Sequence, residues 1–295
     1  MKAAPFEYSR PADLDEACAL LTQDEGARVI AGGQTLIPMM AMRLARPTRL
    51  VDISRIGDLA FIREDGDAVV IGATTRQARA ERDELVSTRV PLLAAALPWV
   101  GHPPTRARGT VGGSLANADP SAEIALVAVT LGATLVYRED AETSEVPASE
   151  YFFGPMITAL PSSACLTEVR FPTWPGTRMG VGFREISSRR SDFALVAVAA
   201  QVALDAEGAC ERIALGAGGI ADTPISLDAA VEALSGSRLN EAEVRDAVRA
   251  AMEDVETVSD LHASENYRRR VASSLMVRAV ADARAAARGQ VSHAH

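Results

Sequence analysis

Two short glycine-rich segments constrain this chain more than any other feature of its sequence. Each pairs two adjacent glycines with hydroxyl residues, and the segments are Ala31-Gly32-Gly33-Gln34-Thr35 and Thr110-Val111-Gly112-Gly113-Ser114. Glycine lets the backbone approach a ligand closely, and consecutive outward N–H groups form a concavity that binds anions. A helix that starts after such a turn adds unpaired donors and the positive end of its dipole. The two segments together predict a diphosphate site; the alternative interpretation is that each is only a tight turn.

The charge of the chain excludes several classes of partner. Its 295 residues include 30 Lys+Arg and 39 Asp+Glu, which leaves a net charge of −9. This argues against a nucleic-acid-binding protein, which needs a basic face, and against docking on an anionic membrane. The sequence contains no run of about 18 apolar residues that could span a membrane and no recognisable signal peptide. We therefore expect a soluble, cytoplasmic protein.

The cysteines and histidines do not predict a metal site. Cys18, Cys165 and Cys210 lie far apart, and none has the C-x-x-C spacing of a zinc or redox site. An iron–sulfur cluster usually needs four thiolates, so we expect reduced thiols and no cluster in this chain. The sequence also lacks an H-E-x-x-H motif and any nucleophile–base constellation. If the protein is an enzyme, a cofactor supplies its chemistry.

Other nucleotide-binding motifs are absent or incomplete. The sequence has no G-x-x-x-x-G-K-[ST] motif, which excludes a P-loop. The segment 216–221 matches a dinucleotide fingerprint and follows a predicted strand, but Pro224 comes where the helix of that motif should be under way. The next acidic residues, Glu241 and Glu243, lie on a predicted helix. We interpret this turn as a place where the backbone approaches another part of the chain closely.

Three further features allow both a structural and a functional interpretation. Glu123 begins a predicted helix, where a carboxylate is favourable by itself but could also accept hydrogen bonds from a ribose or a ring. The charged segment 183–193 is either a solvated loop between strands or part of a binding site. Arg106 and Arg108 flank the second glycine segment and could face a phosphate or a partner protein.

The order of predicted elements indicates an α+β fold, because strands and helices alternate too irregularly for a strict βαβ repeat. Asp13 followed by Glu16 is typical of a helix N-terminus, and Pro172, Pro175 and Gly176 mark the best domain boundary. Beyond this boundary the pattern predicts strands at 183–186, 194–204 and 212–215 and helices at 228–234, 240–255 and 264–288.

The residues around both glycine segments resemble a known family. Residues 31–40 and 108–123 are similar to the two flavin loops of the FAD-binding medium subunit of molybdenum hydroxylases, the relatives of xanthine dehydrogenase and carbon monoxide dehydrogenase. Residues 190–194, and Gly218-Gly219 with Pro224, resemble the small C-terminal domain of these subunits. The resemblance covers the chain from Phe6 to about Arg284.

The resemblance implies a fold. Residues 1–173 would form a two-lobed α+β FAD-binding domain of the vanillyl-alcohol-oxidase (PCMH) type, with lobes of about 1–55 and 56–173. Residues 177–288 would form a small C-terminal sheet-and-helix domain. Residues 289–295 are predicted to be a disordered tail.

The resemblance also implies a function. The chain would bind FAD without a covalent link and belong to a complex, expected to be a dimer of heterotrimers. In it a small subunit holds [2Fe–2S] clusters and a large subunit holds a molybdenum–pterin cofactor. Substrate is hydroxylated at molybdenum, and electrons pass through the clusters and this FAD to an external acceptor.

Individual roles follow from the same resemblance. The FAD pyrophosphate and ribitol would be held by both glycine segments, that is by Ala31, Gly32, Gly33, Gln34, Thr35, Thr110, Val111, Gly112, Gly113 and Ser114. Glu123 stands where relatives keep an acid that contacts the cofactor. Leu166 stands where an apolar side chain covers the isoalloxazine, and Arg184 where a basic residue faces the flavin. Some relatives have an aromatic ring at the position of Val100, so the shielding of this side of the flavin differs here.

Two other functions compete with the electron-transfer subunit. One is a free-standing oxidase or dehydrogenase that binds FAD and acts directly on a small molecule. The other is a non-catalytic protein that uses the glycine segments for another phosphate. The sequence predicts neither the substrate of the complex nor its electron acceptor.

Overall fold

The computed structural model describes residues 2–176 and 178–289, and over this range the chain forms three main sheets of three, five and four strands. Helices cover these sheets and separate them, which confirms the expected α+β fold. Residues 290–295 of the predicted tail lie outside the described range. Among the described helices, none is long and apolar enough to cross a membrane.

The first lobe is a small parallel sheet with two helices. Its elements are β1 (Glu7–Ser9), α1 (Leu14–Gln23), β2 (Ala27–Ile30), α2 (Leu36–Ala41) and β3 (Arg49–Asp52). Strand β3 lies in the middle and pairs in parallel with both β1 and β2. Helix α1 begins at Asp13, whose side chain accepts a hydrogen bond from the N–H of Glu16. The first glycine segment joins β2 to α2 and so lies at the carboxyl end of a parallel strand, where open sheets commonly bind ligands.

The second lobe is an antiparallel sheet in the order β4-β5-β10-β6-β7. Its elements are β4 (Ile62–Asp65), β5 (Ala68–Gly72), α3 (Gln77–Ala80), α4 (Glu84–Arg89), α5 (Pro91–Ala96), α6 (Pro103–Arg108), α7 (Val111–Asn117), α8 (Glu123–Leu131), β6 (Thr134–Glu139), β7 (Glu142–Pro147), β8 (Phe152–Gly154), β9 (Ile157–Thr158) and β10 (Cys165–Pro172). Every residue of α8 is buried. A helix that is apolar on all sides is typical of a position inside the core, and α8 lies between this lobe and the C-terminal sheet.

The C-terminal part is a four-stranded antiparallel sheet with three helices. Its elements are β11 (Met179–Ser187), β12 (Ala194–Leu204), β13 (Cys210–Gly218), β14 (Ile225–Ser226), α9 (Asp228–Leu234), α10 (Glu241–Glu253) and α11 (Glu265–Ala287). Helix α11 covers one face of the sheet, and α5 and α8 of the second lobe cover the other. The approach of α11 is very close, since a Cβ built on Gly182 would lie 2.1 Å from the carbonyl oxygen of Ala279. Because both faces are covered, β12 is a nearly continuous run of small apolar residues.

Candidate functional site

The two glycine segments meet in space although they belong to different lobes. A Cβ built on Gly32 would lie 2.4 Å from the carbonyl oxygen of Arg108 and 2.9 Å from the Cα of Gly109. No real Cβ tolerates such distances, so only glycine permits this contact between the two backbones. The contact joins the first lobe to the second beside a cleft with a volume of about 490 Å³.

The cleft brings together most of the residues predicted from the sequence. Those on its surface are Ala31, Gly32, Gly33, Gln34, Thr35, Thr110, Gly113, Ser114 and Glu123. The C-terminal part adds the loop 191–193, so all three parts of the chain meet at this cleft. Four predicted residues do not line it, namely Val111, Gly112, Leu166 and Arg184.

The first segment presents free backbone donors. Within the described part of the chain, no oxygen atom accepts a hydrogen bond from the N–H groups of residues 32–35. Gly33 has a φ of +69°, a left-handed conformation that favours glycine. The N–H of Ile37 donates a hydrogen bond to the carbonyl oxygen of Gly33 at 3.2 Å, and this bond belongs to the first turn of α2. Four successive unpaired amides at a helix start can bind an anionic group.

The second segment is different, and this corrects the expectation that amides from both segments clasp the ligand. Four N–H groups at the start of α7 are already used inside the chain: Val111 donates to Thr75, Gly112 to Ala73, and Gly113 and Ser114 to Thr110. Val111 and Gly112 are buried, and a Cβ on Gly112 would lie 2.5 Å from the Cβ of Ala73. The second segment is therefore a capped helix start that packs on β5 and the loop after it. It offers the cleft the surface of Gly113 and the side chain of Ser114.

The cap of α7 gives a stability prediction. The Thr110 hydroxyl accepts from the N–H of Gly113 at 3.0 Å, and the residue is almost fully buried. Thr110→Val keeps the shape but leaves this N–H without its partner, so we expect the free energy of unfolding to fall by about 1 kcal/mol in urea denaturation. Thr143→Val, on the exposed strand β7, is the control and should change it by less than about 0.5 kcal/mol. Equal effects of the two substitutions would contradict this role of the cap.

Glu123 is the buried acid of the cleft. It is the first residue of α8, is 8% exposed and lines the cleft wall. Its pKa is raised to about 7, mainly because burial disfavours the charged form. A hydrogen bond from its own N–H lowers this pKa, Asp119 raises it and Arg106 lowers it. Near neutral pH this carboxyl can therefore hold a proton.

Leu166 and Arg184, which the resemblance placed at the flavin, do not line the cleft. Leu166 is 5% exposed and packs into the hydrophobic core of the second lobe. Arg184 points to the opposite face of β11, where its Nε donates to Asp282 of α11 at 2.6 Å. Side chains alternate along a strand, so the neighbour Glu185 points toward the second lobe instead. Neither Leu166 nor Arg184 is carried into the site proposed below.

The loop after β11 supplies residues for which the sequence left two interpretations open. Ser191, Asp192 and Phe193 line the cleft, so this end of the charged segment 183–193 is not only a solvated turn. Ser191 has a φ of +70°, and the ring of Phe193 is 73% exposed. A phenylalanine ring so exposed at the mouth of a cleft can cover a flat ligand.

Gln77 and Arg106 both lie near the second glycine segment, but only Gln77 lines the cleft. Gln77 lines the cleft, is 5% exposed and donates to the carbonyl of Thr110, while its Oε1 has no partner within the described residues. A single glutamine at a helix start carries no sequence signal, so the sequence analysis missed it. Arg106 instead turns inward: it binds Glu81 with two hydrogen bonds of 2.8 and 2.9 Å and donates to the carbonyls of Val100 and Gly101. Arg106 thus holds the cleft wall at 100–101.

The glycine-rich turn after β13 serves packing. Gly216 and Gly218 lie on β13, and β14 follows them instead of the helix of a dinucleotide site. A Cβ on Gly216 would lie 2.0 Å from the Thr130 hydroxyl of α8, and the N–H of Gly219 donates to the carbonyl of Pro120 at 2.9 Å. These contacts agree with the interpretation that the backbone here approaches another part of the chain closely.

Two known protein families together match almost the whole chain. Residues 4–174 match the FAD binding domain in molybdopterin dehydrogenase, and residues 182–283 match the CO dehydrogenase flavoprotein C-terminal domain.

Characterised relatives align over nearly their full length. The alpha subunit of the 6-hydroxypseudooxynicotine dehydrogenase complex from Paenarthrobacter nicotinovorans is 34% identical over 96% of both chains. The carbon monoxide dehydrogenase medium chain from Afipia carboxidovorans is 34% identical over 96% of this chain and 98% of its own.

Solved structures agree with these alignments. The Cu,Mo-CO dehydrogenase in its cyanide-inactivated form contains a chain that superposes with a TM-score of 0.93 and 34% identity, covering 97% of this chain and 99% of that one. A chain of quinoline 2-oxidoreductase from Pseudomonas putida 86 superposes with a TM-score of 0.92 and 33% identity, with the same coverage.

Proposed function

This chain belongs to the family of FAD-binding medium subunits of molybdenum hydroxylases, and from this premise we propose that it holds one FAD non-covalently in the cleft described above. It is the electron-transfer subunit of an oxidoreductase complex. Electrons arrive from [2Fe–2S] clusters of a partner subunit and leave to an external acceptor. FAD, when bound, supplies the redox chemistry, and hydroxylation of the substrate belongs to another subunit.

The unpaired amides of residues 32–35 carry this proposal. The first segment has no cationic side chain to pair with a diphosphate, but its successive backbone N–H groups can donate hydrogen bonds to one. The start of α2 adds the positive end of a short helix. The close contact of Gly32 with Arg108 holds this segment against the second lobe, where residues 32–35 line the shared cleft. The residues present therefore fit a dinucleotide diphosphate.

The remaining cleft residues fit the other parts of the cofactor. Thr110, Ser114 and Glu123 supply hydroxyl and carboxyl groups on the wall of the second lobe, suited to ribityl or ribose hydroxyls. Phe193 and Val100 supply an aromatic and an aliphatic surface for the flat ring system. In this assignment Phe193 and Val100, instead of Leu166 and Arg184, lie next to the isoalloxazine.

The partners follow from the family. We propose a small iron–sulfur subunit and a large subunit with the molybdenum–pterin cofactor, assembled as a dimer of heterotrimers in the cytoplasm. The names of the relatives compared above describe subunits of larger enzymes: a dehydrogenase complex subunit alpha and a dehydrogenase medium chain. The described ranges contain no cluster of three or more His, Cys, Asp and Glu side chains that could hold a metal ion.

The proposal is tested with the full-length chain, expressed alone and with the neighbouring reading frames. We expect a flavin visible spectrum, one FAD per chain released by acid precipitation, and co-purification of iron and molybdenum with the co-expressed subunits. Reduction of this FAD by substrate should occur in the complex and not in the isolated chain. An isolated chain that oxidises a small molecule by itself would instead favour a free-standing flavoenzyme, and a chain that retains no flavin would refute the site.

A further inference from the structure

Arg268 is a buried cation of α11 that contacts the backbone next to the loop 191–193 from outside the cleft. The residue is 4% exposed and does not line the cleft. Its Nη1 donates hydrogen bonds to the carbonyl oxygens of Leu195 at 2.5 Å and Gly219 at 2.6 Å. Its Nη2 donates to Oδ2 of Asp260 at 2.6 Å. Because a buried charge is costly unless it is paired, the burial of this guanidinium depends on these three acceptors.

The first acceptor lies in an irregular stretch of β12. The pairing of β12 with β11 passes from Val196 directly to Ala194 and skips Leu195, and the pairing of β12 with β13 does not reach this end of the strand. Leu195 is therefore the extra residue of a β-bulge, a feature that commonly redirects side chains next to functional sites. The bulge begins directly after Phe193, which lines the cleft. Arg268 supplies a donor for the carbonyl oxygen of this bulge.

The second acceptor joins the C-terminal part to the second lobe. Gly219 follows β13 with a φ of +72°, and a Cβ built on it would lie 3.0 Å from the carbonyl oxygen of Leu195. Its N–H donates to the carbonyl oxygen of Pro120 at 2.9 Å. Both chain neighbours of Pro120 line the cleft. Arg268 therefore binds a turn that is itself attached to the cleft wall of the second lobe.

The third acceptor orients the guanidinium. The other oxygen of the Asp260 carboxylate, Oδ1, accepts hydrogen bonds from the N–H groups of His262 and Ala263 at 2.8 and 2.9 Å. The same loop contacts the turn after β13, since the N–H of Val258 donates to the carbonyl oxygen of Ile220 at 2.9 Å. The carboxylate is thus held by its own loop, and a planar guanidinium bound to it presents its remaining donors in a fixed direction.

On the basis of the FAD function proposed above, we propose that Arg268 is a positioning residue of the cofactor site. By binding the bulge at Leu195 and the turn at Gly219 together, it fixes the loop 191–193 at the cleft. The position of this loop sets how well the ring of Phe193 covers the flavin. Arg268 acts through the loop, without touching the cofactor, and limits the access of solvent and small solutes to the ring system.

The next residue of α11 offers a matched control. Arg269 also donates to two backbone carbonyl oxygens, those of Met252 and Val255, and to the hydroxyl of Thr257. These acceptors do not line the cleft. Arg268→Met and Arg269→Met therefore each remove a guanidinium with three hydrogen bonds, and only the first substitution releases a residue of β12.

The test measures the access of a neutral solute to the flavin in the full-length chain saturated with FAD. Acrylamide quenching of the flavin fluorescence gives a quenching constant, and urea denaturation gives the free energy of unfolding. In Arg268→Met we expect the quenching constant to rise about threefold and the dissociation constant of FAD to rise about 5–10-fold, the equivalent of about one hydrogen bond. Arg269→Met should keep both wild-type values although it also loses stability.

Two more variants show whether the effect passes through the loop. Phe193→Ala removes the ring and should raise the quenching constant by itself. Adding Arg268→Met to it should raise the constant little further, because residues that act through one another are not additive. Arg268→Lys keeps a cation with three donors, so its quenching constant should lie between those of the wild type and Arg268→Met.

Three results would overturn this inference and leave the FAD site intact. They are a wild-type quenching constant in Arg268→Met, equal constants in Arg268→Met and Arg269→Met, and fully additive effects of Arg268→Met and Phe193→Ala. If Arg268→Met does not fold, Arg268→Lys takes its place, and a wild-type constant in that variant overturns the inference equally. A wild-type chain that binds no FAD would overturn the proposed function together with it.

Discussion

Gly32→Val is expected to weaken FAD binding strongly, raising the dissociation constant at least ~100-fold, or about 2.8 kcal/mol. The Cβ of any larger residue would lie 2.4 Å from the carbonyl oxygen of Arg108, so the first segment would have to move away from the second lobe. The unpaired amides of residues 32–35 would then leave the cleft wall. The measurement is flavin-fluorescence titration of the full-length chain, with circular dichroism to check the fold.

Gly57→Ala is the control for this substitution. A Cβ on Gly57 meets no atom within 4 Å, and the residue does not line the cleft. This variant should bind FAD like the wild type. If Gly32→Val kept a full complement of FAD with an unchanged fold, the contact between the two glycine segments would not be needed for the site.

Gly182→Val should cause a larger loss of stability than Thr110→Val. Its Cβ would lie 2.1 Å from the carbonyl oxygen of Ala279 and 2.9 Å from the Cα of the same residue, both part of the α11 backbone. A helix backbone cannot yield as a flexible side chain does, so α11 must separate from β11 along part of its length. We expect the free energy of unfolding to fall by about 3 kcal/mol, with exposure of the apolar residues between helix and sheet.

Urea denaturation monitored by circular dichroism measures this loss. Gly154→Ala on β8 is the matched control, because its Cβ would meet only the Cδ1 of Ile157, at an ordinary 3.8 Å. The control should change stability by less than about 1 kcal/mol. An equally small effect of Gly182→Val would mean that α11 does not pack on the sheet as closely as described.

Local patterns in the sequence predicted many of the elements. The Asp13–Glu16 pair marks the start of α1, and the helices expected at 228–234, 240–255 and 264–288 agree with α9, α10 and α11 to within about two residues. Strand β12 was expected over its observed length. These predictions depend on capping and on the spacing of apolar residues, which act within a few residues of the chain.

The sequence predicted the direction of individual side chains less well. The resemblance predicts Arg184 at the flavin, while the face that a strand residue occupies depends on the register of the whole sheet. Here the register turns Arg184 to α11, while its neighbour Phe183 packs into the core of the second lobe. Likewise the two glycine segments look equivalent as sequences. In the structure, however, backbone N–H groups of the second segment already donate hydrogen bonds to residues 73 and 75, which follow β5.

Sequence alone determined where the backbone can bend and approach closely, since a glycine such as Gly32 or Gly33 permits conformations and contacts that other residues exclude. It also determined, through resemblance, the family to which these bends belong. Tertiary structure decided which of the bends keeps its amides free and that Glu123 is buried at the cleft wall. Both outcomes depend on distant parts of the chain: an amide is free only if no folded neighbour accepts from it, and a carboxyl keeps its proton only if packing removes the surrounding water.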